Sequence, residues 1–272
     1  MNARLACALA ITLALTACSR SEPPPPAAET PPAAHAAAPS ESTGESAAIQ
    51  AALSNSSRFA GDAGEDAWRK SADVLAFMNV QPGMHVVDYL AGGGYYTELL
   101  STLVGPEGRV YTYNNAEYTK YSGDTPAKRY ANNRLGNVVT VTGAPESLAI
   151  EPGSLDAALF VQSYHDLHWK SKDWSPTDPA KSLAALVTAL KPGAIVVVVD
   201  HVAVAGSDPA VVVDSLHRID PALVRKDFEA AGLVFDAESS ILANSADDHT
   251  KSVFDESIRH KTDQFVYRFR KP

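Results

Sequence analysis

From Met84 onward the chain alternates two hydrophobic rhythms. Short apolar runs stand between longer stretches in which apolar residues recur at helical spacing, and that alternation is the signal of strands interleaved with helices. Met84–Leu90, Arg109–Tyr113, NVVTVTG, LDAALFV and AIVVVVD predict five strands. The last of these is apolar without interruption, as expected of a strand buried on both faces of a parallel sheet. Ahead of them, GEDAWRKSADVLAFMNV spaces Trp68, Ala72, Leu75 and Phe77 or Met78 as one helix, ended by Gln81-Pro82-Gly83. A helix is predicted from Tyr95 to about Val104, and another in AKRYANNRL. The piece from Asn114 to Tyr118 reads as irregular.

Helix punctuation supports two more elements. DPAKSLAALVTAL places Asp178 or Thr177 at the cap, Pro179 at the first position, and Leu183, Leu186, Val187 and Leu190 on one stripe. DPALVRKDFEAAG repeats the device with Asp220, Pro221 and a terminal Gly232. Two strands, near LVFDAESSIL and DQFVYRFR, follow without a helix between them and predict an antiparallel hairpin at one edge. The expected fold is α/β, a mostly parallel seven-stranded sheet with helices on both faces.

Ligands of such sheets sit beyond the carboxyl ends of the strands. The first strand ends in DYLAGGGYY, where glycine lets backbone approach a ligand closely. Gly92, Gly93 and Gly94 do not fit the GxGxxG spacing of dinucleotide sites, and no Gly-Lys-Ser/Thr follows to make a P-loop. The fourth strand runs into Gln162-Ser163-Tyr164-His165-Asp166-Leu167-His168-Trp169, the fifth into Asp200-His201. A histidine with a carboxylate neighbour serves as a general base near neutral pH, so His165, Asp166 and His201 are the candidate catalytic residues, with His217 a further candidate beside Arg218. Asp247, Asp248 and His249 read as a solvated turn.

DYLAGGGYY resembles the acidic-x-Gly-x-Gly-x-Gly turn of class I methyltransferases that use S-adenosylmethionine, and KPGAIVVVVDH resembles the Lys-Pro-Gly entry to their fifth strand. The resemblance runs from about Ala63 to the C-terminus, and is close to bacterial exported predicted methyltransferases with Tyr-Tyr-Thr after the glycines. It implies a Rossmann-like class I methyltransferase fold, S-adenosylmethionine as cofactor, and methyl transfer to a small acceptor. It places Asp88, Ala91, Gly92, Gly94, Asn114 and Glu146 around the cofactor. Three positions depart from the pattern. Leu90 stands where the first glycine belongs, Asn114 replaces the acid that grips the ribose hydroxyls, and Ala144 replaces the acid at the adenine, leaving Glu146 as a substitute. Two other readings use the same residues: a non-catalytic ligand-binding or partner-binding module, and a metal-assisted hydrolase built on the histidines.

The N-terminus adds a location. Arg4, an apolar run from Leu5 to Ala17 and Leu15-Thr16-Ala17-Cys18 have the layout of a secretory signal, and resemble a bacterial lipobox. The resemblance implies cleavage before Cys18, a lipid on that cysteine and, with Ser19 next, the outer membrane facing the periplasm. Residues 1–17 are then a signal peptide, 18–48 a Pro/Ala-rich tether that cannot fold alone, and 49–272 one domain. Cys7 is the only other cysteine, so the domain has no disulfide. The formal net charge is −9 and no basic run is present, which argues against a nucleic-acid partner.

Overall fold

The computed structural model describes residues 43–172 and 174–272. Cys18, the signal peptide and most of the predicted tether lie outside the described residues. Seven strands form one sheet: β1 (His85–Tyr89), β2 (Arg109–Asn114), β3 (Val138–Thr142), β4 (Leu155–Val161), β5 (Leu190–His201), β6 (Val234–Ser239) and β7 (Gln264–Arg270). Their order is β3-β2-β1-β4-β5-β7-β6. The pairs β1 with β2, β2 with β3, β1 with β4 and β4 with β5 are parallel, and β7 is antiparallel to both β5 and β6. The expected hairpin is present, with β7 inserted against β5 and β6 at the rim. The order reverses between β1 and β4, so the carboxyl ends of those two strands flank the switch point where such sheets bind ligands.

Alternation along each strand sends side chains to two cores. Val87, Tyr89, Phe160, Val196 and Val198 pack on one face, with Leu183 and Leu186 of α7 (Pro179–Ala189) and Phe228 of α9 (Pro221–Ala230). Val86, Leu159, Val197 and Val199 pack on the other face, against α1 (Thr43–Leu53), α3 (Ser71–Met78) and α4 (Tyr95–Val104). α1 begins inside the stretch read as tether. The caps fall where Asp-Pro predicts them: Asp178 accepts a hydrogen bond from Lys181 N and Asp220 one from Ala222 N.

Three helical readings need correction. The helix expected across residues 64–80 breaks at Lys70, whose φ of 46° separates α2 (Asp66–Arg69) from α3. The stretch after β2 is not irregular: Asn115 caps α5 (Ala116–Ser122) by accepting from Tyr118 N, and α6 (Thr125–Arg129) follows. A further helix, α8 (Pro209–Leu216), has Asp208 as cap and Pro209 first, the same punctuation as the two helices that sequence reading found.

Candidate active site

One cavity of about 780 Å³ opens at the switch point. Backbone builds one end of it and side chains build the other. Asp88, Leu90, Ala91, Gly92 and Gly93 line the first end, and His165, Asp166, His201 and His217 line the second. Leu90 (φ 55°), Gln162 (φ 55°) and His217 (φ 52°) all line it and all hold the left-handed backbone conformation. Non-glycine residues rarely adopt that conformation, and such strain gathers at functional sites.

The glycine turn is held from three sides. Asn114 Oδ1 accepts from Gly92 N (2.9 Å) while its Nδ2 donates to Gly92 O (3.0 Å). Arg129 Nε donates to Gly93 O (2.7 Å). Tyr130 covers Gly94 so closely that a Cβ there would lie 2.2 Å from its Oη. A side chain at Gly94 would force Tyr130 to shift, and the φ of 87° favours glycine there in any case. Arg129 itself is buried, with Nη1 at 2.6 Å from Asp62 and 2.5 Å from Glu98. Sequence reading named neither Arg129 nor these partners. The one signal available was a cluster of basic residues, Lys128, Arg129 and Arg134, in a predicted helix, which does not distinguish a buried anchor from a solvated face.

Below the turn, Asp88 is buried and accepts from Thr97 Oγ1 (2.6 Å). Burial raises its pKa to about 6, against smaller opposing contributions from the Thr97 hydrogen bonds and Arg129. Asp88, Ala91 and Gly92 all line the cavity. Two of the residues that the resemblance assigns to the nucleoside do not. Asn114 is spent on Gly92, and Glu146 Oε1 accepts from Asp178 N (2.7 Å) at the start of α7, outside the cavity lining. Gly94 is buried under Tyr130 and does not line the cavity either. Tested against S-adenosylmethionine, the chain fits its amino-acid end: bare backbone at Ala91–Gly93 with a carboxylate beneath it. The polar groups expected at the ribose and base are turned onto the protein.

At the opposite end, Asp200 is fully buried and organises the histidines. Its Oδ1 accepts from His201 N (2.8 Å) and pairs with His165 Nδ1 (2.8 Å), and its Oδ2 accepts from His165 N (3.0 Å). His165 Nε2 then points to Asp166 Oδ1 at 3.4 Å, and Asp166 Oδ2 accepts from Tyr118 Oη (2.6 Å). Burial pulls the His165 pKa down, but the Asp166 and Asp200 carboxylates outweigh it and hold it up at about 9. His165 therefore favours the imidazolium form at neutral pH when the site is empty. Burial lowers His201 to about 3 and His217 to about 4, so both stay neutral. His201 Nδ1 lies 2.8 Å from Thr262 Oγ1, leaving Nε2. His217 packs edge-on against Trp169 (4.8 Å) and Phe254 (4.9 Å) at the mouth.

The other sequence-flagged group changes character. Asp247 is no solvated residue: it is buried and paired with the fully buried Arg218 at 2.9 Å. That pair does not line the cavity. His249 pairs with Asp263 at 2.9 Å, also outside the lining.

Comparison with known proteins places this architecture. No family model matches the chain. A stretch of 89 residues, 33% of the chain, is 35% identical to demethylmenaquinone methyltransferase from Geobacillus stearothermophilus. The match spans 36% of that enzyme, so it says nothing of the remainder. Among solved structures, a SAM-dependent methyltransferase from Aquifex aeolicus superposes with a TM-score of 0.53 at 18% identity, over 74% of this chain and 88% of that one. A putative sarcosine dimethylglycine methyltransferase from Galdieria sulphuraria gives 0.54 at 19%, over 77% and 87%. The [4+2]-cyclase SpnF gives 0.56 at 18%, over 76% and 81%. The chain has the fold these proteins share. A cyclase among them is a reminder that the scaffold does not fix the chemistry.

Proposed function

We propose that the protein binds S-adenosylmethionine and transfers its methyl group to a small acceptor. The observation that carries this is the open wall of backbone at Ala91, Gly92 and Gly93, above a buried Asp88, at the switch point of a methyltransferase fold. Bound there, the cofactor supplies an electrophilic methyl group. Asp88 would pair with its ammonium, and the Ala91–Gly93 backbone would hold the amino-acid end. The acceptor would enter past Trp169, Trp174, Tyr121 and Phe254, which gives the mouth an aromatic lining suited to a flat or apolar body. The neutral His201 and His217 would accept a hydrogen bond from the acceptor and orient it, while His165, already charged, would hold an anionic or polar substituent in place. Positioning two reactants in one cavity itself contributes to the rate of such reactions.

Calorimetric titration of the protein with S-adenosylmethionine and with its demethylated product tests the reading. Binding should weaken by tenfold or more in Asp88→Asn, since a hydrogen bond to a charged group contributes about 1.5–3 kcal/mol. An absence of heat with either ligand in the wild type would contradict it. The engagement of Asn114 and Glu146 elsewhere favours one second reading, a non-catalytic module that keeps the scaffold and holds a different small ligand. The same titration separates the two. The chain is further proposed to be a cell-envelope lipoprotein anchored through Cys18. Fractionation of Cys18→Ser should move it from the membrane to the soluble fraction, and retention on the membrane would count against the anchor.

A further inference from the structure

The histidine end of the cavity contains a group that the reading above leaves unexplained. Asp166 Oδ1 is buried and accepts no hydrogen bond from any described residue. Its nearest cation, His165 Nε2, is 3.4 Å away, beyond a good hydrogen bond. A carboxylate oxygen left without a partner in the interior is destabilising, so a structure that keeps one calls for a reason. Three donors converge at this point: one atom each from His165, Asp166 and His217, all within 4.8 Å of one another.

We propose that His165 Nε2, Asp166 Oδ1 and a ring nitrogen of His217 form a binding site for a divalent transition metal ion. Two imidazoles and one carboxylate suit zinc, iron or cobalt and not the hard cations that prefer oxygen alone. The arrangement around the donors is the one such sites use. Asp200 holds His165 through Nδ1 at 2.8 Å, which fixes the ring and leaves Nε2 directed at the site. Tyr118 Oη fixes Asp166 through its other oxygen at 2.6 Å, which leaves Oδ1 directed there as well. Neither orienting bond consumes a ligand atom. His217 comes from the end of α8 in a strained backbone conformation (φ 52°) that brings its ring within 5.6 Å of His165, centroid to centroid. Ligand atoms about 2.1 Å from one ion lie roughly 3.4–4.2 Å apart, so the widest pair must close by about 1 Å. His217, only partly buried at the mouth, is the member able to move.

Three protein ligands leave coordination positions open, and these face the cavity that the glycine turn shares. With the ion bound, His165 Nε2 gives up its proton and neither His165 nor His217 acts as described above; on the methyl-transfer reading the ion would instead hold a hydroxyl, thiol or amine of the acceptor. The acceptor class is then a molecule with such a donor on an aromatic or apolar body. Only this role rests on the proposed function; the existence of the site does not.

The test is a titration of the full-length, chelator-stripped protein with Co²⁺, read by its visible d–d absorption and by equilibrium dialysis. One equivalent should bind, with absorption typical of a four- or five-coordinate ion. His217→Ala and Asp166→Asn should each abolish stoichiometric uptake while circular dichroism stays native. Asp200→Asn, which loosens the ring without removing a ligand, should weaken binding roughly 10- to 100-fold. His249→Ala, outside the cavity, should bind as the wild type does. No stoichiometric uptake, or uptake that survives His217→Ala and Asp166→Asn in folded protein, would overturn the site. Because cobalt uptake is read without S-adenosylmethionine, a failure here leaves the calorimetric result standing, and the reverse holds equally.

Discussion

The two ends of the cavity are built by different means. At the glycine end the wall is backbone, and apart from Asp88 the side chains around it hold that backbone still: Asn114 clamps Gly92, Arg129 clamps Gly93 and Tyr130 covers Gly94. At the histidine end, recognition comes from side chains whose orientation is set by a buried carboxylate, Asp200. The first design tolerates little change in shape but needs few specific residues. The second depends on which atoms point inward. A protein can therefore keep the glycine end of an ancestral fold while the opposite end acquires its own chemistry.

The largest expected effect breaks the support of the glycine end. Arg129→Met removes the cation that bridges Asp62, Glu98 and the carbonyl of Gly93. Leaving buried carboxylates without their partner costs about 3–5 kcal/mol, partly relieved because Arg134 also pairs with Glu98. Urea denaturation should report a loss near the lower end of that range. A loss under 1 kcal/mol would mean that the turn does not depend on this anchor.

A subtler change asks what Asn114 is for. If it grips the turn, Asn114→Asp replaces a donor to Gly92 O with a carboxylate oxygen facing a carbonyl. Stability should fall by about 1–3 kcal/mol, with no gain in affinity for S-adenosylmethionine. A tighter complex at unchanged stability would show instead that this position meets the ribose, as the sequence resemblance implies.

The histidine end should be the acid-sensitive one. His201 has a folded pKa of about 3, below its ordinary value of 6.5, because burial disfavours the charged ring. Below pH 6.5 the unfolded chain takes a proton that the fold refuses, so stability declines as pH falls toward 3, by up to about 1.4 kcal/mol per pH unit. His165 has the opposite sign: its folded pKa of about 9 gives stability that is complete below 6.5 and is lost as pH rises through 9. In chelator-treated protein, His201→Gln should flatten the acid limb of the stability profile and leave the alkaline limb in place. An unchanged acid limb would place the sensitivity elsewhere.

This contrast also decides what could be read from the sequence. DYLAGGGYY was legible because backbone recognition leaves a compositional trace, namely glycines directly after a strand. The strands were legible for a similar reason: AIVVVVD is buried on both faces and shows it. Asp-Pro punctuation found α7 and α9, and applied evenly it would also have found α8. The histidines were visible as strand-end residues, but their division into one charged and two neutral rings was not. That division depends on Asp200 facing His165 Nδ1, a fact of geometry between residues 35 apart in sequence. The hydrogen bonds of Asn114 and Glu146 were illegible for the same reason. Their neighbours along the chain matched a pattern, while their hydrogen-bond partners, Gly92 and Asp178, lie 22 and 32 residues away.

The central claim is that the wall of Ala91, Gly92 and Gly93 still receives a sulfonium cofactor's amino-acid end. A crystal structure of the protein grown with S-adenosylhomocysteine tests it most directly. The account predicts ligand density against that backbone, its ammonium on Asp88, with Asn114 still bonded to Gly92. Clear density for the turn with the ligand absent, or bound only among the histidines, would contradict it.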